Sequence, residues 1–224
     1  MNEENSMVRK PPFFLVVAGN IGVGKTTLTK LVAERLGWKP FFEKVKENPY
    51  LGRFYGNMRR WAFHSQIFFL TERFKAHLQI HGLSVPVIQD RSIYEDAEVF
   101  ARGLFDQGFM PEEDYEVYRS LYRTLAGTLR PPDLTLYLRA SPWTLLSRIR
   151  KRWREVERDI DKEYLFNLNL AYERWIREWQ REHAVKVIET DGRDFLLEPD
   201  WTKSVIREIE EFYRHLLENN SKIV

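Results

Sequence analysis

Gly19-Asn20-Ile21-Gly22-Val23-Gly24-Lys25-Thr26 decides how this chain is read. The spacing is G-x-x-x-x-G-K-T, and each part of it has a physical job. The glycines let the backbone curl round a phosphate chain with its N–H groups turned inward. Lys25 reaches the β- and γ-phosphates of a nucleotide, and Thr26 offers a hydroxyl to Mg²⁺. Context decides whether the pattern is a phosphate loop or a glycine-rich turn without a ligand. Ahead of it, Phe13-Phe14-Leu15-Val16-Val17-Ala18 reads as a buried parallel strand. Behind it, Leu28, Leu31, Val32 and Leu36 recur at helical spacing up to Gly37, a helix stop. Strand, loop and helix stand in the required order, and the helix N-terminus adds partial positive charge for the phosphates. Gly19, Asn20, Ile21, Gly22, Val23, Gly24, Lys25, Thr26 and Thr27 are the expected nucleotide-binding set, with ATP and Mg²⁺ as the implied ligands.

Working outward, further apolar runs read as strands: Pro40-Phe41-Phe42, Val85 to Gln89, Leu134 to Leu138, and Val185 to Ile188. Helical periodicity fills the gaps. One helix is predicted from about Arg60 to His81. Another carries Tyr115, Tyr118, Leu121, Tyr122 and Leu125 in register, as core or as a subunit interface. Ser141-Pro142 signals a helix start, and a last helix is predicted from about Asp200. The expected fold is α/β, a P-loop kinase fold: a central parallel sheet of about five strands, helices on both faces, and one domain over residues 1–224. With 35 basic against 33 acidic residues the net charge is +2, which argues against a general nucleic-acid binder. There is no cysteine, hence no disulfide and no thiolate chemistry. The polar N-terminus lacks a signal-peptide core and no run is long enough to span a bilayer, so a cytoplasmic protein without membrane or nucleic-acid partners is expected.

In an open parallel sheet, ligands sit beyond the carboxyl ends of the strands. Glu43 follows the second strand and Asp90-Arg91-Ser92 the third. Beside a phosphate loop, these groups suggest phosphoryl transfer. Glu43 can accept a proton from an attacking hydroxyl. Asp90 can hold Mg²⁺ together with Thr26, and Arg91 can hold the acceptor oxygen and the charge that develops there. Taken singly, each is better read as a helix cap or a surface ion pair; together beside a phosphate loop the balance reverses. Gln66 and Arg73, seven residues apart, share a helix face and can look into one pocket, where an amide can pair with a nucleobase edge.

These residues, with Asn48-Pro49-Tyr50-Leu51, Phe54-Tyr55, Trp61-Ala62-Phe63-His64-Ser65-Gln66 and Asp90-Arg91-Ser92-Ile93-Tyr94-Glu95-Asp96, make the chain resemble the deoxynucleoside kinases, in particular the bacterial deoxyadenosine/deoxyguanosine branch. The resemblance covers about Phe13 to Phe195. It implies transfer of the γ-phosphate of ATP to the 5′-hydroxyl of a deoxyribonucleoside, with a purine favoured and deoxycytidine left open, in a homodimer serving nucleotide salvage. By resemblance, Glu43 is the base, Arg91 holds the 5′-oxygen, Tyr55 and Glu157 take the sugar 3′-hydroxyl, and Gln66 reads the base. Arg73 and Asp96 lie near the far edge of the base, Leu51 and Phe100 wall it, and Asp194-Phe195 flank the donor adenine. Lys44 stands where the family often has proline, and Trp153 where its lid has glycine.

Arg148 to Arg154 carries five basic residues in seven. It can be a nucleic-acid or membrane patch, a solvated helix face, or a helical lid over the phosphates spanning about 148–160. The resemblance implies the lid, with Arg148, Arg152 and Arg154 closing on the transferring group. A nucleoside monophosphate kinase and a non-catalytic nucleotide-binding subunit are the rival functions. Glu43 at the acceptor oxygen speaks against the first, and the combination of Lys25, Glu43, Asp90 and Arg91 against the second.

Overall fold

Strands β1 (Phe14–Ala18), β2 (Lys39–Phe41), β3 (Val87–Asp90), β4 (Leu134–Arg139) and β5 (Val185–Glu189) pair in parallel, in the order β2-β3-β1-β4-β5. The structure is a computed structural model and describes residues 12–152 and 160–221. β1 (FLVVA) is buried on both faces, which is why it reads as a continuous apolar run rather than an alternating one; β3 and most of β4 are buried as well but enclose the polar Gln89, Asp90 and Thr135. The expected parallel sheet is present, with shifted boundaries. β3 begins at Val87 rather than Val85, because Pro86 has no N–H to give the ladder; its carbonyl instead accepts from the Lys39 N–H at 2.9 Å. β3 also runs on to Asp90, so this carboxylate closes the strand instead of following it.

Helix α1 (Lys25–Leu36) leaves the glycine loop and stops at Gly37, whose φ is 69°. It crosses over so that β2 lies beyond β3, while β4 lies on the other side of β1. The carboxyl end of β1 is therefore the switch point at which a doubly wound sheet opens a ligand crevice. α2 (Leu51–Gly56) is followed by the long α3 (Met58–His81). α3 starts before Arg60 because the Asn57 side chain caps it, accepting from the Arg60 N–H at 3.1 Å. Past β3, α4 (Ile93–Glu95) passes into a π-helical turn, Asp96–Ala101, and on into α5 (Arg102–Asp106). Then come α6 (Glu112–Ala126), α7 (Pro142–Arg152), α8 (Lys162–Trp179) and α9 (Pro199–Ser221). On α6, Tyr115 and Tyr118 are buried, whereas Val117 and Leu121 are exposed.

One buried group bears on stability alone. His77 of α3 is fully enclosed, edge-on to Phe14 with centroids 4.8 Å apart, and neither ring nitrogen has a hydrogen-bond partner among the described residues. Burial, with neighbouring His81 and Arg130, holds its pKa down to about 3. An unfolded chain protonates this ring near 6.5 while the folded one does not. Stability should therefore fall as pH drops below 6.5, by up to about 1.4 kcal/mol per pH unit from this single proton. The melting temperature of His77→Phe, followed from pH 7 to 5, is expected to fall less than that of the parent. Parallel curves would remove His77 as the cause.

Candidate active site

The phosphate end is built on β1. Gly19 has φ 143°, and a Cβ there would lie 2.6 Å from the Leu138 carbonyl oxygen of β4, so the first glycine of the pattern is required by close backbone approach. Asn20 is buried and ties the loop to α8, donating to the Leu165 carbonyl at 3.1 Å and to Asn169 Oδ1 at 3.0 Å. Lys25 folds back over the loop, its Nζ donating to the carbonyls of Gly19 at 2.7 Å and Asn20 at 3.1 Å. Burial, helped by Arg91, lowers its pKa to about 8 against the pull of Asp90, Glu43 and Glu95, so at pH 7 it remains largely a cation. Thr26 Oγ1 donates to Asp90 Oδ2 at 2.5 Å, while the buried Asp90 Oδ1 has no hydrogen-bond partner among the described residues. A hydroxyl and a carboxylate with a vacant buried oxygen, both hard oxygen donors beside a phosphate loop, suit Mg²⁺.

A cavity of about 220 Å³ opens from this end and runs between α2, α3 and the π-helical turn. Of the expected acceptor residues, Glu43, Leu51, Tyr55, Gln66, Arg91, Asp96 and Phe100 all line it. Arg73 is buried just behind, bonded to two of them. Glu157 and Arg154 lie outside the described residues, as does Trp153. Charges alternate along the cavity. Asp96 Oδ2 accepts from Arg73 Nε at 3.0 Å; Glu43 Oε1 accepts from Arg73 Nη2 at 2.8 Å and from Arg91 Nη1 at 3.4 Å. Burial raises the Asp96 carboxyl despite Arg73 and Arg91. Burial works against a charged Arg73 too, but Asp96 and Glu43 outweigh it and leave its pKa raised.

Local backbone geometry aims these groups. Arg91 has φ 69°, the one positive φ among the described non-glycine residues; its N–H still bonds Val17 O of β1 at 3.0 Å, while its guanidinium swings to 4.2 Å over the Phe100 ring. The π-helical turn brings Asp96 and Phe100 both to the cavity, a use typical of π-bulges at functional sites. Gln66 is 3% exposed and its Oε1 has no partner among the described residues, an expense that a ligand would remove. Asn48 fixes the loop between β2 and α2 by donating to Ser65 Oγ at 3.0 Å and accepting from the Tyr50 N–H at 2.9 Å. Lys44 turns away to Glu72 at 2.7 Å, so the residue that replaces the family's proline stays out of the cavity.

Val45, Phe54, Ser65, Phe69 and Tyr164 also line the cavity, and the sequence reading gave none of them a place there. Phe69 lies three residues past Gln66 and four before Arg73, so helical spacing alone could have found it. Tyr164 had no comparable signal.

The basic segment divides. Arg152, at the end of α7, lines both this cavity and a second one of about 360 Å³ between the glycine loop and Arg193–Leu196. Arg148 lines the second cavity beside the glycine loop. Its guanidinium is taken up by carbonyls, donating to Val23 O at 3.1 Å, Thr190 O at 2.6 Å and Arg193 O at 2.5 Å, because loop ends present orphan acceptors that a five-donor fork satisfies. Asp194 and Phe195 border the second cavity. Asp194 accepts from the Leu196 N–H at 2.8 Å, and Phe195 stacks on Trp201 at 4.8 Å.

A phosphate loop, a carboxylate between two arginines and a cavity ending in a glutamine amide invite comparison with known enzymes. The model of the deoxynucleoside kinase family matches residues 15–214. The chain belongs to the deoxynucleoside kinase family. It is 44% identical over 164 residues to the deoxyadenosine/deoxycytidine kinase of Bacillus subtilis (strain 168), covering 72% of this chain and 76% of that one. To the deoxyguanosine kinase of the same organism it is 33% identical, over 88% of this chain and 96% of that one. The solved deoxyadenosine kinase from M. mycoides, with products dCMP and a flexible dCDP bound, superposes with a TM-score of 0.79 at 30% identity, over 91% of this chain and 100% of that one. This kinase is thus a phosphotransferase, and its sheet is that of the P-loop kinase fold. Among the described residues no helix is long and apolar enough to cross a membrane.

Proposed function

We propose that the kinase moves the γ-phosphate of ATP to the 5′-hydroxyl of deoxyadenosine, with deoxycytidine as its next substrate, in one catalytic domain. The observation that carries this reading is a single cavity with Lys25 and Thr26 at one end, Glu43 beside Arg91 along it, and the unpartnered Gln66 amide oxygen among its walls. Glu43 takes the proton of the 5′-hydroxyl, and Arg91 holds that oxygen in line. Lys25 and the loop N–H groups grip the donor phosphates, and Arg152, with Arg154, meets the charge on the transferring group. Thr26 and Asp90 would hold Mg²⁺, which when bound neutralises charge on the phosphates. Tyr55 and Glu157 take the 3′-hydroxyl, and Leu51, Phe100 and Phe69 wall the base.

Adenine and cytosine both present an exocyclic amino group beside a ring-nitrogen acceptor. The Gln66 amide matches that order with its oxygen and its NH₂, and the Asp96 carboxylate can only accept while ionised. The name of the 44% identical relative agrees with this pairing. A homodimer fits the exposed Val117 and Leu121 of α6. A monophosphate acceptor would bring its charge against Glu43, which disfavours that rival.

A coupled assay across deoxynucleosides, their monophosphates and several triphosphate donors tests the reading. Deoxyadenosine with ATP is expected to turn over fastest and deoxycytidine measurably, with no monophosphate accepted. A monophosphate as the best acceptor would overturn it.

A further inference from the structure

We propose that Glu95 is a positioning residue of the acceptor site: braced by Tyr172, it holds the Arg91 guanidinium back from Glu43. The inference rests on the reading of Arg91 as the ligand of the acceptor oxygen. Glu95 is fully buried, four residues past Arg91, and does not line the cavity. Its Oε1 lies 3.3 Å from Arg91 Nε, without the alignment of a hydrogen bond, and accepts from the Tyr172 hydroxyl at 2.7 Å. Tyr172 is itself fully buried on α8 and stacks on Tyr137 of β4, ring centroids 5.8 Å apart at 16°, so its hydroxyl is a fixed post. On the opposite side, Arg91 Nη1 is 3.4 Å from Glu43. Both contacts are long. The contact to Glu43 keeps hydrogen-bond geometry and the one to Glu95 does not, so the guanidinium lies between two carboxylates, over the Phe100 ring.

This arrangement decides what Arg91 can do. With Glu95 charged, attraction from behind balances attraction from Glu43, and donors remain for the acceptor oxygen. With the charge removed, Coulomb attraction draws Arg91 onto Glu43 and occupies both the base and its electrophilic partner. The local alternative is that Glu95 only caps α4: its Oε2 accepts from the Ser92 N–H at 3.4 Å, while Ser92 Oγ accepts from the Glu95 N–H at 3.5 Å. Glutamine fills a capping box as well as glutamate does, and its NH₂ can turn to the Tyr172 oxygen. Glu95→Gln therefore preserves the cap and removes the charge.

The groups facing Glu95 are Arg91 after β3, Lys25 on α1, Asp96 in the π-helical turn and Tyr172 on α8. Burial pushes its carboxyl up to about 7, with Asp96 adding to the rise and Arg91, Lys25 and Tyr172 opposing it. As pH falls through 7 the carboxylate is protonated and Arg91 loses its rear anchor, so turnover should fall on the acid side.

The test measures kcat and nucleoside KM for the full chain with deoxyadenosine and ATP from pH 6 to 8, with melting temperatures alongside. Glu95→Gln is expected to lower kcat about 10–100-fold, with KM within about threefold, and to flatten the acid limb. Glu95→Asp should recover part of the rate and the limb. Tyr172→Phe, which removes a bond favouring the carboxylate, should move the limb to higher pH. Wild-type kcat and an unchanged acid limb in Glu95→Gln, or a loss confined to melting temperature, would overturn the role of Glu95 alone. A wild-type chain that phosphorylates no deoxynucleoside would overturn the acceptor reading and this inference together.

Discussion

Glu43→Gln is expected to lower kcat about 10²–10⁴-fold while leaving nucleoside KM within a few-fold of the parent, because the amide keeps shape and hydrogen bonding but cannot take a proton. The structure explains why glutamine rather than alanine is the informative change. One oxygen of Glu43 accepts from both Arg73 and Arg91, and these arginines are 5% and 7% exposed at their side chains. A glutamine oxygen can still accept from both. Alanine would leave two buried cations short of a partner, and its melting temperature should drop where that of Glu43→Gln holds close to the parent. Lys25→Ala is the contrasting lesion, since it acts at the phosphate loop and should raise the KM for ATP. Steady-state kinetics of both variants, with each substrate varied in turn, separate the two roles. Parental turnover by Glu43→Gln would end its assignment as the base.

What the sequence made legible follows from how local each signal is. The loop from Gly19 to Thr26 announces itself because backbone geometry and chemistry coincide in eight consecutive residues. The sheet announces itself chiefly through β1, where a strand buried on both faces is apolar throughout, and through the apolar cores of the flanking strands. Of the residues proposed for the acceptor, Glu43 and Arg91 were readable from strand ends, and Gln66 with Arg73 from a spacing that a helix turns into a shared face; Leu51, Tyr55, Asp96 and Phe100 came from the family resemblance alone. Three things were out of reach. The π-helical turn Asp96–Ala101 carries no signal in period, as one extra residue in a helix is set by what its side chains pack against. The fate of Arg148 depended on carbonyls of Val23, Thr190 and Arg193, far from it in sequence. Glu95 forms a capping box with Ser92 three residues before it, but its other partner, Tyr172, lies 77 residues on.

Thymidine is expected to be at least about 10³-fold poorer in kcat/KM than deoxyadenosine, because its base offers the wrong groups to a buried charge pair. Asp96 and Arg73 are 3% and 5% exposed at their side chains and bonded at 3.0 Å. In the proposed site their remaining hydrogen-bond capacity would be met by the base, since water is largely excluded. An amino group beside a ring acceptor meets it. Thymine instead presents a carbonyl oxygen toward a carboxylate and a methyl group that satisfies neither charge. Arg73→Met combined with Asp96→Ala should relax the pocket toward thymidine. The structure adds a condition on how this is read. Arg73 also bonds Glu43 at 2.8 Å, so the double variant weakens the bracing of the base and should turn over every nucleoside more slowly. The informative quantity is therefore the ratio of kcat/KM for thymidine to that for deoxyadenosine, which is expected to rise by about two orders of magnitude or more even as both rates fall. Thymidine as the best substrate of the parent enzyme in a head-to-head assay would sink the assignment of Arg73 and Asp96 to the base edge, and an unchanged ratio in the double variant would move discrimination elsewhere, to Gln66 and the walls formed by Leu51 and Phe100.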